Sequence, residues 1–390
     1  MTPAARLQAA IEVLDLVIAA ARQRGAPADR IVSEWFRTRR FAGSGDRRAV
    51  REMVYAAIRT CGEVPSDGRA ALLRLAQDDP ALAALFDGSR HGPAPIRPDE
   101  PVASGGIAPL WLEQALAKSG IVGEEASALL DRAPLDIRIN TLRATAVDLP
   151  VPGEPTLAPL GRRLPTGTPV ESWSQYTEGL VEVQDTGSQL VCLALGALAG
   201  ERVVDLCAGA GGKTLSLAAQ MANRGEILAC DVDRARLSRL APRAERAGAS
   251  IVETRLFNPG HEAEALSDWL GQADGVLIDA PCSGVGTWRR NPEARWRLDA
   301  KELERLATIQ SRLLDVGAAL VKPGGRLVYI TCSLLDAEGR DQVQAFLARS
   351  EGWKAENPGL PAGRPHGAGL RLTPHHDGTD GFFVARLVRA

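Results

Sequence analysis

The chain carries no Cys-x-x-Cys pair. Its six cysteines, Cys61, Cys192, Cys207, Cys230, Cys282 and Cys332, lie scattered along 390 residues. That spacing excludes a disulfide framework and a zinc knot, and it points to a reducing, cytoplasmic setting. No run of 18 apolar residues occurs, so no membrane-spanning helix is expected. The opening residues, MTPAARLQAA, lack a basic head followed by an apolar core, so no secretory signal is expected either. Charge of one sign is not in excess: 46 Lys and Arg stand against 48 Asp and Glu, a net of −2. Any polyanion contact must then come from a local patch rather than from the chain as a whole. What the chain has is length and an ordinary globular composition, 45% hydrophobic and 24% charged. Two or three domains are expected rather than one core.

Residues 4–24 place Leu7, Ile11, Leu14, Ile18 and Ala21 on one helical stripe, with Thr2 and Pro3 as a start signal. Further helices are expected over 31–39, from a cap at Asp46 through Ile58, over 69–76, and over 80–86. This is a small all-helical unit. It carries Arg37, Arg39, Arg40, Arg47, Arg48 and Arg51 against Asp46 alone. Those arginines form either a solvated face or a contact with an RNA backbone. Residues 88–109 are dense in Pro and Gly and read as a linker. Short helices at 110–118 and 124–132, strands at 135–140 and 180–183, and a Pro- and Gly-rich stretch at 149–172 suggest a small α+β module. The resulting division is 1–90 helical, 91–109 linker, 110–185 α+β module and 186–390 the largest domain.

From residue 201 strands and helices alternate. Strands are expected at 203–206, 227–230, 251–256, 275–278 and 326–331, with a last strand near the end of the sequence. Such alternation implies an α/β fold, a doubly wound and mostly parallel sheet that binds ligands over the carboxyl ends of its strands. The first of these strands runs into RVVDLCAGAGGKT, residues 202–214, a glycine-rich turn and a helix start. Glycines let the backbone approach a ligand, and the free N–H groups of a helix start favour anions. Asp231 follows Gly209 by 22 positions, at the end of the second strand, where a carboxylate accepts ribose hydroxyls. The alternative role for Asp231 is a helix cap.

The turn also approaches a phosphate loop, since Gly212, Lys213 and Thr214 fit its end, but Cys207 stands where its first glycine belongs. Cys192 and Cys230 read as small core residues. Asp279, Cys282 and Cys332 differ, because all three fall at or just past strand ends and should converge at one sheet edge. Two thiols beside a nucleotide cradle suggest covalent chemistry. The loop after Cys282 interleaves Trp288 and Trp296 with Arg289, Arg290, Arg295, Arg297 and Lys301. It suits stacked single-stranded RNA, or else its tryptophans pack inward.

CAGAGGKT, DAPCSG with the trailing GTWRRNPEARW, and TCS together resemble the RsmB/Sun-type family of RNA cytosine-5 methyltransferases, over roughly residues 110–390. The helical start is similar to the NusB-like RNA-binding domain of bacterial members. The resemblance implies a class I Rossmann-like methyltransferase sheet and S-adenosyl-L-methionine as cofactor. The cofactor would lie on Cys207, Ala208, Gly209, Ala210, Gly211, Gly212 and Lys213, with Asp231 on its ribose. Cys332 would be the nucleophile, Cys282 would aid product release, Asp279 would sit near the methyl donor and the base, and Lys213 would orient Asp279 or contact the nucleotide. Two departures stand out: Gly209-Ala210 replaces the usual Ala-Pro, and Asn258 stands where an acidic cofactor contact is usual. The implied partner is RNA, ribosomal (16S) ahead of transfer RNA, with no membrane, no metal and no obligate protein partner. A phosphate-loop NTPase and a non-catalytic RNA-binding assembly factor remain as alternatives.

Overall fold

A computed structural model describes all 390 residues. The chain divides into two compact units, Met1–Asp131 with Thr287–Asp299, and Arg132–Gly286 with Ala300–Ala390.

The first unit is helical. Its first helix, Pro3–Arg22, starts where the Thr2 hydroxyl accepts from the Ala5 N–H (3.2 Å). Leu7, Leu14 and Ile18 from its buried stripe meet Val50, Val54 and Ile58 of the helix Ser44–Thr60 in a single apolar core. Asp46 sits inside the first turn of that helix instead of capping it. Its carboxylate reaches back to the Gly43 N–H (3.2 Å) and pairs with Arg6 (2.8 Å). Arg37, Arg40, Arg47, Arg48 and Arg51 are exposed, while Arg39 lies 3.9 Å over the Trp35 ring.

Residues 88–109 form neither helix nor extended strand, but they are no free tether. Arg69 grips Glu100 (2.9 Å) and the Pro95 carbonyl (3.2 Å), and Ala103 donates to Ala70 O (3.2 Å). The division therefore departs from the one expected from composition: 91–131, including the helix Leu110–Lys118, belongs to the helical unit.

The segment Thr287–Asp299 also belongs to this unit, and its burial corrects the reading of an RNA-facing loop. Trp288 and Arg295 are fully buried and Trp296 joins the helical core. The Arg295 guanidinium donates to Ile58 O (2.6 Å) and Cys61 O (2.7 Å), and the Trp296 indole donates to Gly62 O (3.2 Å). Glu293 accepts from the Ala28 N–H (2.9 Å) at the start of the second helix, Ala28–Arg37. An arginine whose terminal nitrogens meet several backbone carbonyls is a clamp, since only its planar fork reaches several at once.

The second unit holds a small antiparallel sheet, Glu154–Pro155, Gly161–Leu164, Leu135–Ile139 and Val181–Val183. Buried Asp136 anchors it, accepting from Arg163 (2.8 Å) and from the Thr186 hydroxyl (2.7 Å) at the start of the helix Thr186–Leu193. The large sheet orders its parallel strands Val321–Thr331, Ala273–Asp279, Arg202–Asp205, Glu226–Asp231 and Val252–Leu256. Phe382–Arg389 runs antiparallel at the side of Val321–Thr331. Two apolar cores lie on this sheet. One is built from Leu190, Leu215, Leu217 and Leu240, the other from Leu313, Leu314, Val343 and Phe346. Helices on both faces of a mostly parallel sheet are the expected doubly wound arrangement. No helix is long and apolar enough to cross a membrane.

The clamp is testable. Arg295→Ala should lower the stability of the helical unit by about 3 kcal/mol, because buried carbonyls lose their donor. An exposed RNA-contacting arginine would cost within about 0.5 kcal/mol. Chemical denaturation followed by tryptophan fluorescence separates the two.

Candidate active site

The strand Arg202–Asp205 ends in a turn whose glycines are required. Gly209 (φ 55°) and Gly211 (φ 84°) occupy the left-handed region. A Cβ at Gly211 would fall 2.0 Å from a Leu240 methyl, and one at Gly209 would press on the Arg236 guanidinium. The helix Gly212–Gln220 opens directly behind them. Asp231, at the end of the next strand, accepts from the Gly209 N–H (2.7 Å) and the Asp233 N–H (2.7 Å), so it clasps the turn. The capping of the following helix falls to Asp233, which accepts from Ala235 and Arg236.

Over the carboxyl ends of these strands opens a cavity of about 540 Å³. Its walls include Leu206, Cys207, Asp231, Val232, Phe257, Pro259, Leu313, Asp279, Cys282 and Cys332. The two sulfurs Cys282 Sγ and Cys332 Sγ are 3.4 Å apart. Three expected features therefore meet in one space: the acidic strand end, the second carboxylate and both thiols. Ala208, Gly209, Ala210, Gly211 and Gly212 shape the turn without lining the cavity. Asn258 is exposed and takes no part in its wall, which at this point is Phe257 and Pro259. Sequence reasoning missed Glu262, a buried wall residue that accepts from the Gly260 N–H (3.1 Å) and pairs with Arg312 (2.9 Å). A lone glutamate at the start of a short helix carries no signal that would have singled it out.

Lys213 binds Asp279 at 2.5 Å. Burial, the largest single influence, pushes the Lys213 ammonium down, but the charge and hydrogen bond of Asp279, together with Cys192 and Cys332, raise it overall, so the lysine stays charged. The Thr214 hydroxyl is buried and donates to Asp205 (2.7 Å). A phosphate loop needs its lysine on phosphate and its hydroxyl on Mg²⁺; here each side chain is engaged by a protein carboxylate. Cys192 and Cys230 are buried, as core residues should be, and burial lifts the Cys192 thiol to about 11. Burial, followed by the charge of Asp231, also holds the Cys207 thiol well above its usual range. The Cys282 thiol is raised well above its usual range too, first by its hydrogen bond with Cys332 and then by burial.

Backbone contacts lock the cysteine loops. The Gly286 N–H donates to Cys332 O (3.0 Å), and the Gly381 N–H donates to Gly286 O (2.8 Å). A Cβ on Gly286 would sit 2.1 Å from Gly381 O, and one on Gly381 would sit 2.8 Å from Gly286 Cα.

A parallel sheet with a glycine turn, an acidic strand end and a cavity over its carboxyl edge defines a Rossmann-like methyltransferase. The chain belongs to the RsmB/F family: the model described as 16S rRNA methyltransferase RsmB/F matches residues 192–388. It is 38% identical over 309 residues to the ribosomal RNA small subunit methyltransferase B of Xylella fastidiosa (strain 9a5c), covering 74% of this chain and 70% of that protein. The protein of the same name from Salmonella newport (strain SL254) is 37% identical over 229 residues, 58% of this chain and 51% of that one. Among solved structures, PH0851 aligns over 99% of both chains with a TM-score of 0.77 and 27% identity. A methyltransferase homolog protein from Pyrococcus horikoshii aligns over 72% of this chain and 99% of its own, with a TM-score of 0.59 and 28% identity.

Asp205 supplies a pH test. It is fully buried below the turn, Oδ1 has no partner, and burial pushes its carboxyl from 3.8 up to about 7. The folded chain thus keeps a proton that the unfolded chain releases. That contribution is complete below about pH 4 and is lost as pH rises to about 7. Melting temperatures across this window should fall with rising pH, by the equivalent of about 4 kcal/mol at most. Asp205→Asn should remove the slope.

Proposed function

We propose that this protein is an S-adenosyl-L-methionine-dependent methyltransferase acting on carbon 5 of a cytosine in 16S ribosomal RNA. The observation that carries the reading is the 3.4 Å approach of Cys282 and Cys332 in a cavity also lined by Asp231 and Asp279. Family membership and the names of the relatives support an RNA substrate and a methyl-donor cofactor. The donor's needs fit the cavity: Val232, Phe257 and Leu313 offer apolar contact for a purine, and Asp231 offers a carboxylate for a ribose. When bound, the cofactor supplies an electrophilic methyl on a sulfonium.

Carbon 5 of cytosine is a poor nucleophile. Cys332 as thiolate adds to carbon 6, and the electron pair displaced onto the ring makes carbon 5 enamine-like, so it can take the methyl. Asp279, oriented by Lys213, binds the cytosine through a protonated N3 and the 4-amino N–H; the proton taken up at N3 keeps the ring neutral as the thiolate adds and returns to solvent on release. Product release requires loss of the carbon 5 proton and cleavage of the carbon–sulfur bond. Cys282 gives its own proton to the departing Cys332 sulfur and takes the one from carbon 5, so the relay balances. One proton is released to solvent when Cys332 ionises again. The target cytosine must leave its stack to reach a sulfur. The helical unit, with its exposed arginines, is proposed as an RNA-backbone contact.

Cys332→Ala should abolish methyl transfer and every RNA–protein adduct. Cys282→Ala should instead accumulate the adduct on denaturing gels. The opposite pattern would exchange the two roles, and RNA binding without methyl transfer by the intact chain would favour an assembly factor. Bisulfite mapping of ribosomal and transfer RNA, with and without the gene, should show one lost site, in 16S RNA.

A further inference from the structure

Glu338 lies beside both cysteine loops, and no motif in the sequence points to it. Its side chain is 1% exposed. Oε1 accepts from the Ser283 N–H (2.8 Å) and from Gln310 Nε2 (3.1 Å). Oε2 accepts from the Ser283 hydroxyl. With its only proton committed there, the Ser283 hydroxyl accepts from that of Ser333 (3.1 Å), while Ser333 Oγ accepts from the Leu335 N–H (3.2 Å). Gln310 also donates to Pro281 O (2.9 Å), and the Tyr329 hydroxyl donates to Glu338 O (2.8 Å). The residue after each cysteine is thus hydrogen-bonded, directly or through one hydroxyl, to a single buried carboxylate. Neutral donors alone offset its burial, so shifting either loop would strand it.

We propose that Glu338 is a positioning residue that fixes the spacing of the two sulfurs through Ser283 and Ser333 and makes their roles unequal. The inference rests on the reading of Cys332 as nucleophile and Cys282 as proton relay. A second negative charge at Cys282 is disfavoured beside the carboxylate of Glu338, so Cys282 keeps the proton it must later give up. The raised Cys282 thiol agrees: its causes are the hydrogen bond with Cys332, then burial, then the charges of Cys332 and Glu338. Tyr329 is the other titratable group against this sulfur; the shared cavity also holds Asp279 with Lys213 on it, Arg305 and Arg312.

The test uses the full chain and a small alkylating probe, iodoacetamide, read at the Cys282 peptide by mass spectrometry across pH. Glu338→Gln should move the Cys282 alkylation profile down by about one pH unit. It should lower kcat by about 100-fold, as misplaced reacting groups do. The KM for S-adenosyl-L-methionine should stay within about twofold, since Glu338 does not line the cavity. Glu338→Asp keeps the charge but withdraws it by one methylene, so kcat should fall with the alkylation profile unmoved. An unmoved profile in Glu338→Gln overturns the unequal roles, and wild-type kcat in Glu338→Asp overturns the spacing role. If Glu338→Gln fails to melt cooperatively, Ser283→Ala replaces it, with the same loss of kcat expected and wild-type kcat counting against the proposal. Retained methyl transfer in Cys332→Ala would sink the underlying reading of Cys332 as nucleophile, whereas the Cys282 profile needs no RNA and reports on Glu338 alone.

Discussion

The parallel pairing of Ala273–Asp279 with Val321–Thr331 sets Asp279 opposite Ile330. Each strand stops at nearly the same height, so the turns that leave them run side by side. Cys282 follows three residues after Asp279, and Cys332 two after Ile330. A slip of one strand by one residue would turn that strand's side chains to the opposite face and move the thiols apart. The chemistry therefore depends on backbone ladder hydrogen bonds within the sheet. Those bonds are well protected, because Leu277, Ile278, Val328 and Tyr329 are fully buried around them.

Charge in the site is arranged by burial and compensation together. Lys213 and Asp279 neutralise one another beside the cavity, whereas Glu338 is satisfied by uncharged donors and Asp205 meets the Thr214 hydroxyl with only one of its oxygens. A paired charge keeps its ionised form in a low-dielectric site; a carboxylate met by hydroxyls and amides holds geometry without a counter-ion. The same enclosure keeps the cysteines Cys192, Cys207 and Cys230 from ionising. Thiols abound on this sheet, yet only Cys282 and Cys332 stand in sulfur-to-sulfur contact at its carboxyl edge.

The regular part of the fold was legible because it is encoded locally. Apolar runs of strand length alternating with helical stripes gave the five parallel strands within a few residues, and the glycine turn announced itself through its composition. The strand Gly161–Leu164 was hidden in a Pro- and Gly-rich stretch, where periodicity is too short to read. Tryptophans and arginines at 288–297 looked like an RNA surface because composition does not say which way a side chain faces. Their acceptors, Ile58 O and Cys61 O, lie more than 230 positions away. Glu338 was invisible for the same reason: its donors come from Ser283 and Gln310, 55 and 28 positions distant. Asn258 shows the converse, a position that family analogy singled out and that the fold leaves in solvent.

The interlock of Gly286 and Gly381 bears on how this enzyme tolerates change. Their main chains touch so closely that neither position has room for even a methyl group, and the carbonyl of Cys332 hangs from the same knot. Neither glycine has a group that could take part in a reaction. A mutational survey that sought only reactive side chains would pass over both, although they are among the least replaceable residues near the sulfurs. Sequence drift at this site is constrained by bare backbone volume as firmly as by thiol chemistry.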